Sequence, residues 1–149
     1  MQWKLIHAGE ERTYVLVFAM DDEAAAGLKE FARAEGLAAA RLSGVGGLSR
    51  ATLGFFDWGT KSYREIAVEE QVEVLSLSGD IASKDGVPEV HAHLVVSDAT
   101  GAARGGHLLS ALVRPTLEVV VVESPSHLVR SHDEASGLAL IDLSRTRDP

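Results

Sequence analysis

Blocks of apolar residues of strand length alternate with polar breaks along most of the chain. Thr13 to Met20 is almost wholly apolar, β-branched or aromatic, which predicts a strand buried on both faces and stopped by Asp21 and Asp22. The period then changes. From Glu23 to Glu35, Ala24, Leu28, Phe31 and Ala32 recur at helical spacing, with an Asp cap ahead and Gly36 behind, so this stretch predicts a helix. Ala38 to Leu42 reads as a second strand, and Ser43-Gly44-Val45-Gly46-Gly47 as permissive backbone fit for a turn or for close approach. Ala51 to Trp58, Ser62 to Val68, Val72 to Ser78, Val90 to Ser97 and Thr116 to Val122 each have strand length and composition, separated by Gly, Pro or Asp. Leu108 to Val113 predicts a short second helix. Because strand mostly follows strand, the expected fold is α/β of the α+β type: a mainly antiparallel sheet with one long and one short helix on one side. No repeat or linker divides the sequence, so residues 1–143 read as a single domain and 144–149 as a polar tail that frays.

Composition narrows the chemistry. At 46% apolar and 24% charged, the 149 residues have the balance of an ordinary globular protein. Apolar runs such as Val119 to Val122 are of strand length, far below the roughly 20 residues a membrane helix needs. Lys4, Glu10, Glu11 and Arg12 interrupt any apolar core of a secretion signal, which predicts a cytoplasmic location. The absence of cysteine removes disulfides, thiolate metal sites and cysteine nucleophiles, leaving histidine and carboxylate as the strong ligands for a transition metal. A net charge of −8 opposes phosphate backbones, and the fourteen Lys and Arg are scattered, so direct duplex binding is disfavoured.

Six histidines remain to be placed. In Val90-His91-Ala92-His93-Leu94, side chains two apart on a strand leave the same face about 6.5–7 Å from one another, so His91 and His93 share a face. Asp98 to Gly101 has turn composition, and a returning chain can bring His107, behind Gly105 and Gly106, beside the pair. Three imidazoles around one ion would leave room for water or another ligand. The competing reading is three histidines that merely pack or hydrogen-bond on a polar sheet face. His7, His127 and His132 read as surface positions.

Other motifs carry less. Gly44, Gly46 and Gly47 do not make the dinucleotide-binding pattern, because the third glycine falls too early and no helix follows; they read as a turn. Glu65, Glu69, Glu70 and Glu73 read as a solvated face. Ser76 and Ser78 lack the flanking glycines of a nucleophile elbow.

Val72-Glu73-Val74-Leu75-Ser76-Leu77-Ser78-Gly79 resembles a core strand of the PPC (plants and prokaryotes conserved) domain. Ser43-Gly44-Val45-Gly46, Gly54-Phe55-Phe56 with Tyr63, His91-Ala92-His93, Gly105-Gly106-His107 and Thr116-Leu117-Glu118-Val119 follow in that family's order, so the resemblance runs over roughly residues 5–143. It implies an α/β domain that assembles as a homotrimer through strands and hydrophobic surfaces. It also implies that His91, His93 and His107 hold a divalent transition metal, often zinc in prokaryotic relatives. Plant relatives carry a preceding Arg-Gly-Arg-Pro segment that enters the minor groove. No such segment occurs here, and Met1 to Glu11 holds only Lys4 as a basic residue.

Three functions follow for comparison: a homotrimeric assembly or binding module with the histidine metal site, a DNA-associated regulator acting through a partner, and a metal-dependent hydrolase. The last would need a base such as Glu73 or Asp98. The expected partners are further copies of the chain, a protein or a small ligand.

Overall fold

A computed structural model describes residues 1–146. The helix α1 (Ala24–Ala34) buries Ala24, Ala25, Leu28, Phe31 and Ala32 on its inner face. Its cap is Glu23, not the preceding aspartates: the Glu23 carboxylate accepts the amide N–H groups of Ala25 and Ala26. Asp22 instead accepts from Ala19 N–H and pairs with the Met1 amino group. Gly36, at φ 63°, ends the helix as expected, with Leu37 N–H donating to Ala32 O and Gly36 N–H to Arg33 O.

Nine strands are found among the described residues: β1 (Gln2–His7), β2 (Thr13–Phe18), β3 (Ala39–Asp57), β4 (Ser62–Val68), β5 (Val72–Lys84), β6 (Val87–Ser97), β7 (Ala103–Glu123), β8 (Arg130–His132) and β9 (Ala139–Ile141). The first seven form one antiparallel sheet in the order β1-β2-β7-β6-β5-β3-β4, and β8 pairs with β9 separately. Because β7 also pairs with β3, the chain of pairings β7–β6–β5–β3–β7 returns to its start, so these four strands close on themselves. Leu16, Phe18, Leu48, Leu53, Leu77, Ile81, Leu94 and Val119 fill the resulting core, over which α1 packs against β6 and β7. No helix among the described residues is long and apolar enough to cross a membrane.

Several expectations need correction. The short helix expected over Leu108–Val113 is strand, inside β7. Its buried residues are Leu108, Ala111 and Val113, and the three-residue step arises because Thr52 pairs with Ser110 while Leu53 pairs with Leu108, leaving Leu109 as an extra residue in a β-bulge. A bulge thus imitates the start of a helical period. Among the described residues α1 is the only helix.

The glycines after Leu42 do not turn the chain. They run through the middle of β3, where a side chain at Gly46 would put its Cβ 2.3 Å from Thr116 O on β7. Close backbone approach, not a turn, is what they provide.

β2 is buried on alternate positions, Tyr14, Leu16 and Phe18, rather than on both faces, because only that face packs into the core with Leu28 and Phe31 of α1. β1, exposed at the edge of the sheet, escaped the sequence pattern because an exposed edge strand needs no sustained apolar alternation. Ser144 and Thr146 of the expected tail bond to Asp142, whereas residues 147–149 lie outside the described residues.

Candidate metal centre

The β5–β6 and β6–β7 hairpins set the positions of the three histidines. In the first, Asp85 and Gly86 both take positive φ (51° and 79°) between the paired ends Lys84 and Val87, a turn whose twist suits a two-residue hairpin. Counting back along the ladder, Asp80 lies opposite His91 and Ser78 opposite His93. In the second, Asp98 Oδ1 accepts from Thr100 N–H, Thr100 Oγ–H and Ala102 N–H, tying the loop so that Ser97 meets Ala103 and His93 meets His107.

The three rings consequently form a cluster. Centroids lie 5.2 Å apart for His91 and His93, 5.2 Å for His91 and His107, and 5.5 Å for His93 and His107. Each ring offers a nitrogen within 4.8 Å of the other two, so the set can hold a metal ion. Zinc–nitrogen bonds near 2.0–2.1 Å would separate the nitrogens by roughly 3.3 Å, a closure of up to about 1.5 Å that side-chain rotation supplies. His107 Nδ1 is buried without a hydrogen-bond partner. A nitrogen withheld from water and given no partner by the protein fits a ligand set better than it fits simple packing.

The surroundings of His107 and His93 favour their neutral forms. Burial, followed by the positive charge that His91, His93 and Lys29 place nearby, pushes His107 down to about 4, and burial followed by His91 lowers His93. Neutral imidazole is the metal-binding form. Around the cluster, Tyr63 of β4 stacks on His107 at 4.6 Å and 24°, and burial raises the Tyr63 hydroxyl so that it stays protonated. Asp80 Oδ2 lies 3.5 Å from His91 Nδ1, while Asp80 Oδ1 accepts from the buried guanidinium of Arg130. Sequence reading missed Asp80, because its strand was ended at Ser78; the Asp85-Gly86 pair carried the register that would have found it. Lys29, Glu89 and Arg130, which line a cleft of about 360 Å³ beside His91 and His107, had no local signal at all.

The remaining candidates lie elsewhere. His7, His127 and His132 are exposed, as are Glu65, Glu69, Glu70 and Glu73. Glu73 pairs with Ser97, four residues along β6 from His93 and so about 13 Å away. Asp98 is committed to its loop, where the Thr100 hydroxyl and backbone amides hold its carboxyl below the usual range. Neither is placed to serve the histidines as a base.

The fold and the cluster together define a small antiparallel-sheet domain whose outer face presents three imidazoles able to hold an ion. The chain belongs to the Plants and Prokaryotes Conserved domain family, which matches residues 6–125. A Bacteroides thetaiotaomicron protein provisionally named as DNA-binding superposes with a TM-score of 0.88 at 28% identity, covering 96% of this chain and 99% of its own. A metal-containing protein of Archaeoglobus fulgidus superposes at 0.80 with 30% identity, over 95% of this chain and 98% of its own. Among curated proteins, the bifunctional protein GlmU of a Synechococcus strain is 36% identical over 143 residues, 94% of this chain. The chain spans only 22% of that protein's length and 14% of a second GlmU's.

Proposed function

We propose that this is a cytoplasmic binding module, one domain over residues 1–143, in which His91, His93 and His107 hold one divalent transition ion, zinc by the character of the donors. The observation that carries the reading is the convergence of three imidazoles from two strands with the buried, unpartnered His107 Nδ1 among them. Three neutral nitrogens without thiolate or carboxylate suit zinc and its borderline neighbours, and a three-ligand set leaves a position open. Asp80 against His91 Nδ1 leaves Nε2 as the donor and fixes the ring, as carboxylates do behind metal-bound histidines. The metal-containing relative of Archaeoglobus fulgidus supports the same reading.

The module is proposed to act as a homotrimer. Val45, Leu75, Val95 and Val120 are exposed by 57%, 52%, 39% and 41%, a row of aliphatic side chains across the four strands that close the sheet. Such a row is a docking face for further copies of the chain. Val95 shares its strand face with His93, so assembly would bring subunits close to the metal centre.

The test is metal analysis of untagged protein beside His93→Ala. One ion per chain in the parent and none in a folded His93→Ala supports the site; equal metal in both refutes it. A second reading, DNA association, draws on the name of the Bacteroides relative. With a net charge of −8 it would work through a partner, and salt-sensitive affinity of the isolated chain for random duplex would establish a direct form instead.

A further inference from the structure

Among the described residues, three buried side-chain atoms lack a hydrogen-bond partner: His107 Nδ1, Glu89 Oε2 and Arg130 Nε. All three belong to residues lining one cleft, of about 360 Å³, beside the histidine cluster. That coincidence needs a cause, since leaving a buried polar atom unpaired is costly. The metal reading accounts for His107 but not for the other two.

Arg130 is the more telling. It is 7% exposed, with one terminal nitrogen on Ala139 O and the other on Asp80, so the guanidinium is fixed while its Nε–H is left needing an acceptor. Glu89 Oε2 needs a donor. Lys29 from α1 and Lys84 from the end of β5 line the same cleft, so that with Arg130 already paired to Asp80 two lysines stand against the one carboxylate of Glu89 in a protein whose net charge is −8. Gly137 to Leu140, with Arg130, form a wall of the cleft. These residues follow the family-matched span of 6–125.

We infer that this cleft binds a small carboxylate bearing a hydroxyl group, with its anionic end toward Lys29, Lys84 and Arg130 and its hydroxyl donating to Glu89. Its place beside His91 and His107 lets such a molecule reach the ion's open position, and to that extent the inference rests on the proposed metal centre. The volume suits a metabolite-sized molecule. A site that pairs a ligand hydroxyl discriminates against the analogue without one, because the protein's own polar group is then left bare.

The experiment is calorimetric titration of L-malate into zinc-loaded protein, with zinc measured in every sample. Malate should bind, and Lys29→Ala/Lys84→Ala, both at exposed positions, should weaken it about tenfold or more while zinc content stays unchanged. Succinate, which lacks the hydroxyl, should bind more weakly than malate, and Glu89→Leu should abolish that preference. No heat with malate, or binding indifferent to the lysines, overturns the proposal and leaves a water-filled cleft. A parent that holds no zinc yet binds malate through the lysines overturns the metal reading and keeps this one.

Discussion

His93 on β6 and His107 on β7 are direct partners across an antiparallel ladder, with ring centroids 5.5 Å apart and ring planes at 89°. The cross-strand pair brings together two residues that are distant in the chain, and His91, two positions before His93, completes the cluster from the same face. The site therefore depends on ladder register, and a slip by one residue would turn His91 and His93 toward the core.

Acid should weaken the metal-free protein in a window set by the imidazoles. His107 falls from 6.5 to about 4 on folding, so between these values the unfolded chain binds more protons than the folded one. Stability is thus full above about pH 6.5 and declines as pH drops toward 4. The lowered carboxyls of Asp22, Asp98, Asp133 and Asp142 act below their ordinary 3.8, outside this window. Thermal melts of chelated protein from pH 7 to 4.5 should show the decline, with a shallower slope in His107→Gln; a flat parent profile would contradict it.

Asp80→Asn should lower zinc affinity by about 10–100-fold without unfolding the chain, because the amide can still accept from Arg130 but no longer supplies the charge beside His91 Nδ1. Competition with a chromogenic chelator measures this. Unchanged affinity would mean that His91 is oriented by packing alone.

Gly79→Ala should damage the site from outside it. A Cβ there would sit 2.2 Å from His91 O and 2.7 Å from Ala92 Cα, so β5 and β6 must part where His91 is set. Overpacking of this kind costs about 1–3 kcal/mol. Denaturant unfolding should show that loss together with weakened zinc binding. Full stability with normal uptake would show that the strands yield freely.

Val95→Lys should dissolve the proposed trimer. A charge in the exposed row formed with Val45, Leu75 and Val120 would have to be buried between subunits, whereas in the monomer it faces water. Sedimentation analysis should give three chains per particle for the parent and one for the variant; a monomeric parent would remove the assembly from the proposal.

The sequence was informative wherever local physics decides. Leu28 and Phe31 at helical spacing, with Gly36 behind, placed α1 almost to the residue, and the zero cysteines narrowed the candidate ligands to imidazole and carboxylate, with His91-Ala92-His93 foremost. The mainly antiparallel character of the sheet was legible because strand follows strand along the chain, but the β2–β7, β3–β5 and β3–β7 pairings were not. Asp85-Gly86 even held the register that sets Asp80 opposite His91, though using it required carrying β5 past Ser78.

Tertiary structure decided the rest. Leu108 and Ala111 look helical in sequence because spacing alone cannot distinguish a turn of helix from a bulge that only the facing strand β3 creates. Gly46 looks like a turn until β7 is found at a distance that no side chain would permit. Lys29, Glu89 and Arg130 come from a helix, a strand and the segment after the main sheet, and no periodicity links them. What joins them is the closure of β7 onto β3 and the packing of α1 and β8 around it, a balance of burial and pairing over the whole chain that no local window of sequence contains.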